Sequence, residues 1–456
     1  MVSSGEVPMS HQLERAKVLS AGILSLILMM GIARFAYTPL LPLMQQQAGL
    51  GISEAGWLAA INYFGYFCGA LIASLISDLV IKDRLYRIGL VVAVLTTAGM
   101  GLTDNTWLWL ALRFLAGLST SAGMLLGSGL ILNWLIRHDH RSELGIHFAG
   151  VGLGIALSAV AVEWLTPYAD WHEQWLLLSL LGTLILIPAW AWLPPPDTDA
   201  VTLGGASMHD APPSPAFMRL FMVAYFCAGV GYVVSITFIV AIVEQLPGLA
   251  GQGSWTFLVL GLAAAPSCIL WDLIARKIGD LNALICAFML QILGILMPVI
   301  DTSLTAAMLG ALLFGGTVVG TVSLVLSMAG RYYPTRPAKM MGKMTLSYCI
   351  AQVLAPLITG FLAERSGRYS DGLYLAAAMM ALGTLLMLML KALERREARH
   401  AAAIINDDSK TADAAGDKRP PRNRESALIA GPESGLRRPP TITNNNKQSP
   451  STDSGL

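Results

Sequence analysis

Apolar runs of roughly 20 residues recur along the chain from residue 18 to residue 392, separated by short polar or basic segments. A run of that length crosses the bilayer core as a helix, rising about 1.5 Å per residue. The runs are continuous rather than alternating, so the pattern predicts helices and not barrel strands. Twelve spans are expected, at 18–45, 53–77, 85–102, 106–135, 143–165, 173–193, 217–245, 253–275, 280–300, 304–330, 337–363 and 371–392. The first has too long an apolar stretch for a signal peptide and no small-residue cleavage site ahead of Arg34, so it is read as retained. The expected fold is an all-α polytopic membrane protein.

The polar breaks organise the spans into domains. PPPDTDAVTLGGASMHDAPPSP, between the sixth and seventh spans, is rich in Pro, Gly and small residues and reads as a linker. The division is 1–17 as an N-terminal segment, 18–193 and 217–392 as six-helix bundles, 194–216 as a cytoplasmic linker, and 393–456 as a disordered cytoplasmic tail. With the N-terminus inside, the inner segments carry Arg15, Lys17, Lys82, Arg84, Arg87, Arg137, Arg141, Arg219, Arg276, Lys277, Arg331, Arg336, Lys339 and Lys343. The outer loops carry Arg365 and Arg368. That bias puts both termini in the cytoplasm, in a multi-pass protein of the cytoplasmic (inner) membrane.

Composition agrees with the pattern: of 456 residues 55% are hydrophobic and 13% charged, with a mean hydropathy of +0.60. A soluble domain carries about 25% charged residues. A net charge of +1 points to no nucleic-acid partner. The five cysteines lie within apolar runs at no metal-ligand spacing, so neither a metal site nor a disulfide framework is implied, and no cofactor is expected.

The two sets of six spans resemble each other. Gly31 and Trp57 precede Gly229 and Trp255 by 198 residues each. SDLVIK and WDLIARK stand at the inner ends of the second and eighth spans, with Asp78 and Asp272 each four residues before a basic side chain, Lys82 or Arg276. Gly145 and Gly342 open the fifth and eleventh spans. Ordered matches at nearly one offset indicate a duplicated unit and two pseudo-symmetric bundles.

Specific motifs carry a family resemblance. PSCILWDLIARKIG resembles the loop signature of the major facilitator superfamily, G-x-x-x-D-x-x-x-R-[KR], with Cys268 in place of glycine, then Asp272, Arg276 and Lys277. The first-half copy has Ser74 for glycine, keeps Asp78, and takes its charge from Lys82 and Arg84. RFLAGLSTSAG, with Arg113, Gly117 and Gly123, resembles the fourth-helix signature. GIARFAYTPLLPLM, GWLAAINYFGYFCGAL and FAGVGLGIALS look like the YbfB/YjiJ family within that superfamily, over about residues 18–392. The resemblance implies a major facilitator fold in which the first, fourth, seventh and tenth spans line a central cavity. It also implies that Asp78, Lys82, Arg84, Asp272, Arg276 and Lys277 lock the cytoplasmic side when it closes. The plainer reading of those charges is an exposed ion pair worth about 0–1 kcal/mol.

Inside the spans the chemistry is sparse. Gly117, Gly123, Gly150, Gly152 and Gly154 supply small faces for close helix packing. Arg34 lies past the middle of the first span, where insertion scales charge about 2.5–3.5 kcal/mol, so it should face protein or water. Cavity candidates are Arg34, Tyr37, Thr38, Asn62, Tyr66, Arg113, Tyr225, Tyr232, Tyr348 and Gln352. Tyr232 occupies the repeat position of Arg34, and Arg113 reads either as a second cavity cation or as a helix organiser. Glu163, Glu244 and Glu364 fall near outer ends and Asp78 and Asp272 near inner ones, so the cavity is expected to be positive and to attract anions.

The expected function is secondary active transport of a small organic solute, first an organic anion, by alternating access in a monomer, with ions or protons as the driving gradient. Drug or metabolite efflux is the alternative, and a substrate-sensing receptor on a transporter fold is the alternative of another class. No phosphate-cradling G-x-x-x-x-G-K-[ST] loop, G-x-S-x-G or H-E-x-x-H occurs, so an ATP-driven pump and an enzyme are both disfavoured.

Overall fold

The computed structural model describes residues 9–76, 78–138, 144–196, 212–332 and 337–414, and among these the regular elements are all helices. The chain divides into two units, Met1–His400 and Ala401–Leu456. Among the described residues ten helices are long and apolar enough to cross a membrane: Gln12–Gln47, Ile52–Leu75, Thr106–Leu135, Gly145–Leu165, Trp171–Ala191, Pro215–Glu244, Asp280–Ile300, Leu304–Ala329, Met340–Ser366 and Ser370–Glu397. An eleventh span is the pair Gly253–Ala264 and Ser267–Ile278, bent by 47°. Pro266 stands at that break, where its missing N–H removes a backbone bond. The helix Leu79–Gly101 fills the place of the expected third span, with Lys82, Asp83, Arg84 and Arg87 crowding its first turns. Counting it, the helices are numbered first to twelfth in chain order.

Helix starts follow local chemistry. Asn105 caps the fourth helix by accepting from Trp107 N at 2.9 Å. Asp170 and Glu173 form a reciprocal capping box on the sixth. Ser214 caps the seventh, with Pro215 in the first turn. The tail expected to be disordered from residue 393 is helical through Ala414. ALERREARHAAA (392–403) is built from strong helix formers, so the end of the apolar run does not end the helix. Residues 197–211 of the expected linker and 415–456 of the expected tail lie outside the described residues.

Leu95, Leu180, Ile187, Leu293 and Leu385 are exposed on outward helix faces, as lipid-facing positions are. Trp107, Trp164 and Tyr168 are exposed at the ends remote from the basic loops, in the manner of an interfacial aromatic belt.

Packing repeats with the sequence. A Cβ on Gly117 would lie 2.0 Å from the Asn62 carbonyl oxygen, and one on Gly315 would lie 2.2 Å from that of Leu260. The two glycines are 198 residues apart, and so are their partners. Likewise a Cβ on Gly31 would lie 2.5 Å from Gly154 Cα, and one on Gly229 would lie 2.8 Å from Ala351 Cβ. Gly150 packs on Ile23 and Gly123 on Met29, while Gly152 faces the other half, where a Cβ would stand 2.3 Å from Ala265 N. Gly56 meets Pro356 and Gly360 in a second seam between halves. Backbones this close leave no room for a side chain.

Candidate functional site

The site begins with a change of helical register in the first span. From Ile27 to Phe35 the helix is a π-helix, and Ala36 N–H donates to Gly31 O at 2.9 Å, five residues back. Pro39 explains the slip, because it has no N–H to offer the Phe35 carbonyl and its ring would collide with that oxygen in an α-helix. Ser158 Oγ also donates to Gly31 O, at 2.9 Å. A second π-helical turn, Ala122–Gly127, interrupts the fourth span.

Arg34 lies in the last turn of the first of these segments, 3% exposed. Its guanidinium carbon lies 4.3 Å from the ring centroid of Tyr63, 5.0 Å from Tyr66 and 5.3 Å from Phe35. Tyr232 on the seventh span is within electrostatic range of it. Stacking on ring faces stabilises the buried cation, and Tyr63 also offers it a hydrogen bond. Its Nε, buried, has no hydrogen-bond partner among the described residues.

Arg113 is equally buried and differently employed. Its Nη1 donates to the carbonyls of Ala33 at 3.2 Å and Arg34 at 3.3 Å, its Nε donates to Leu58 O at 3.4 Å, and it lies over the Tyr37 ring at 4.6 Å. It braces the first span just where the register returns to α. Three other cavity candidates also spend their donors on backbone: Tyr37 on Ala55 O at 3.0 Å, Thr38 on Ile236 O at 3.1 Å, and Asn62 on Arg113 O at 2.9 Å.

The remaining candidates gather on the other half. Tyr348 stacks on Tyr225 with centroids 4.5 Å apart at 24°, and on Tyr232 at 5.7 Å and 29°. Tyr225 and Tyr232 lie two helical turns apart on the seventh span, so Tyr348 fits between them. Gln352 follows Tyr348 by about one turn; its Oε1, like Asn62 Oδ1 and Ser235 Oγ, is buried without a partner among the described residues. Tyr63, absent from the sequence candidates, links the halves: its hydroxyl is 3.1 Å from Thr237 Oγ1, and its ring supports Arg34. Its position three residues before Tyr66 puts both rings on one helix face, a spacing that sequence alone offers. Among the described residues no group of three or more His, Cys, Asp or Glu could hold a metal.

At the basic end, Asp78 does not pair with Lys82. It caps the third helix, accepting from Val80 N at 2.7 Å and Ile81 N at 3.1 Å. Capping wins because the orphan N–H groups are closer than any long side chain. Asp272 accepts from Arg276 at 2.6 Å in an exposed pair on its own helix. Ion pairs that sequence missed include Arg331–Asp280 and Asp83–Arg87, the latter at 2.9 Å with a guanidinium that also donates to the Trp190 and Leu193 carbonyls at 3.0 Å each. Arg87 thereby ties the third helix to the sixth. Among the described residues the hydrogen bonds that cross between halves lie away from this end: Thr38–Ile236, Tyr63–Thr237, and Gln45 Nε2 to Tyr369 OH at 2.8 Å.

A family model described as the uncharacterised MFS-type transporter YbfB matches residues 26–388. The chain is 22% identical over 383 residues to the probable sulfoacetate transporter SauU of Cupriavidus necator, covering 77% of this chain and 88% of the relative. It is 28% identical over 130 residues to the uncharacterized transporter mfc1 of Schizosaccharomyces pombe, covering 28% of this chain and 26% of that protein's length. A crystal structure of a variant of the nucleoside transporter NupG superposes with a TM-score of 0.67 at 11% identity, covering 82% of this chain and 99% of NupG. That likeness establishes the fold.

Proposed function

We propose that this chain, which belongs to the YbfB family of MFS-type transporters, is a secondary active transporter that carries a small organic anion by alternating access. One observation carries the reading: Arg34 is a desolvated cation whose Nε lacks a partner, set among tyrosines of both halves. A carboxylate or sulfonate completes such a guanidinium through paired hydrogen bonds. Sulfoacetate, for which one relative is named, is an organic anion and supports the class. The bundles 18–193 and 217–392 rock about the glycine seams as a monomer in the cytoplasmic membrane, with both termini inside and a proton or ion gradient as the driver. Cross-half hydrogen bonds gathered at the outer end, with Asp78 and Asp272 each tied within its own helix, support reading this arrangement as closed outside. The inner charges then engage only when the cytoplasmic side closes.

The test is binding and thermal stability measured together on purified protein in detergent. Arg34→Lys keeps the charge and loses the planar fork, so anion affinity falls at least about tenfold with stability kept. Arg34→Ala abolishes binding and folds, because an apolar residue suits a span. Normal anion affinity in folded Arg34→Ala would sink the proposal.

A further inference from the structure

We infer that the anion is a planar aromatic monocarboxylate, its ring stacked on the tyrosine column and a ring substituent donating a hydrogen bond to Gln352. This rests on the anion-transport reading above and narrows it.

The charge count comes first. Two arginines are buried here, but Arg113 already donates to three backbone carbonyls. Arg34, stacked on Tyr63 and Tyr66 with Nε unpartnered, is left to neutralise the ligand. One available guanidinium matches one negative group; a dianion would bury a second charge uncompensated, which is costly.

The walls come next. Tyr232, Tyr348 and Tyr66 are enclosed yet keep 8%, 7% and 9% of their surface exposed, whereas Tyr225 beneath the stack keeps 1%. Tyr63, the ring nearest Arg34, keeps 3%, so the residual surface lies on Tyr66, Tyr232 and Tyr348. Ring faces are electronegative and repel a carboxylate, so the anionic group is driven to the guanidinium and the remainder of the ligand to the phenols. The column rings are near parallel at 24° and 29°, and a flat ligand ring extends such a stack with full contact. A saturated ring, puckered and without a π system, meets it less well. Ring pairs of this kind contribute about 0.5–1.5 kcal/mol beyond burial.

The acceptors come last. Gln352 Oε1, about one turn beyond Tyr348 on the same helix, is buried and unpartnered among the described residues. An acceptor left dry is costly unless the ligand brings a donor. A ring hydroxyl or N–H supplies one.

The test uses isothermal titration of the purified full-length chain with benzoate, 4-hydroxybenzoate, cyclohexanecarboxylate, phthalate and sulfoacetate. 4-Hydroxybenzoate should bind about tenfold more tightly than cyclohexanecarboxylate, and phthalate more weakly than benzoate. Tyr232→Leu, at the open end of the column, should erase the aromatic preference while Tyr232→Phe keeps it, and Gln352→Leu should bring 4-hydroxybenzoate down to the affinity of benzoate. Equal affinity for the saturated acid, or a preference that survives Tyr232→Leu in folded protein, overturns the inference. Tighter phthalate than benzoate overturns its monoanion part. If sulfoacetate or cyclohexanecarboxylate binds through Arg34 with no aromatic preference, this inference falls and the anion reading stands. If none of the five binds folded protein, both fall.

Discussion

The two halves of the chain pack alike and differ in chemistry. Gly117 on the Asn62 carbonyl and Gly315 on the Leu260 carbonyl are the same contact 198 residues apart, as are Gly31 on Gly154 and Gly229 on Ala351 to within one residue. At the positions that touch the centre the equivalence stops. Arg34 corresponds to Tyr232, Arg113 to Ala311 and Asn62 to Leu260. The N-terminal half holds both buried arginines and the register shift that exposes carbonyls to one of them. The C-terminal half holds the column of Tyr225, Tyr348 and Tyr232. Backbone contacts at this distance leave little choice of residue, whereas a cavity wall leaves many. A duplicated unit therefore keeps its glycines and diverges at the positions proposed to face the ligand.

The largest expected effect tests the shared part. Gly117→Val and Gly315→Val each force a side chain into a carbonyl about 2 Å away, so backbone must move. Each should lose folded protein, by about 3 kcal/mol or more, to the same degree in both halves. Size-exclusion profiles and thermal unfolding in detergent read it. If Gly315→Val folds while Gly117→Val does not, the packing equivalence is broken.

The next effect tests the divergent part. Arg113→Ala leaves the Ala33, Arg34 and Leu58 carbonyls without this donor, at about 1–3 kcal/mol for each one left dry. It should therefore destabilise the protein far more than Arg34→Ala does. Equal stability of the two variants would mean that the arginines share one role.

A smaller effect on stability, with a clear one on flux, separates the two loop copies. Asp78→Asn keeps a good N-cap and Asp272→Asn removes one exposed ion pair, so each should shift stability by less than about 1 kcal/mol. If the inner charges engage on closure, proteoliposome flux should nevertheless fall several-fold in both. Thiol labelling of cysteines placed at the inner mouth should rise. Unchanged labelling in both variants reduces these aspartates to a cap and a surface pair.

Much of this was legible in the sequence because it depends on runs and offsets. Apolar length marked the helices, the 198-residue repeat paired Arg34 with Tyr232, and small residues at fixed spacing marked the seams. What was not legible depends on where a donor ends up. Thr38, Tyr37 and Asn62 have the composition of a cavity wall, yet each donates to a carbonyl of a neighbouring helix. Asp78 looked like half of an ion pair and serves as a cap. The π-helical turn follows from Pro39 only in hindsight, since a proline in a span more often kinks it. The last helix outlasts its apolar run because helix propensity and lipid burial are separate causes.

The smallest expected effect lies at the outer end, where the halves touch. Gln45 of the N-terminal half donates to the Tyr369 hydroxyl at 2.8 Å, and the Tyr369 ring stacks on Phe238 at 4.8 Å. Tyr369→Phe keeps the stack and removes one hydrogen bond, a loss of about 1 kcal/mol. Labelling of cysteines at the outer mouth should rise a few-fold if that bond helps to hold the outer side shut. Burial pushes the Tyr369 phenol up to about 12, against about 10 for a free tyrosine. Between those values the unfolded chain releases the proton and the folded chain keeps it, so the contribution is complete below about pH 10 and is lost as pH rises toward 12. The informative quantity is the difference between the native chain and Tyr369→Phe. That difference should be flat from pH 6 to about 9 and shrink above pH 10. A gap that widens with alkalinity would show that the phenol is ionised in the folded state, and the bond with Gln45 would then need another account.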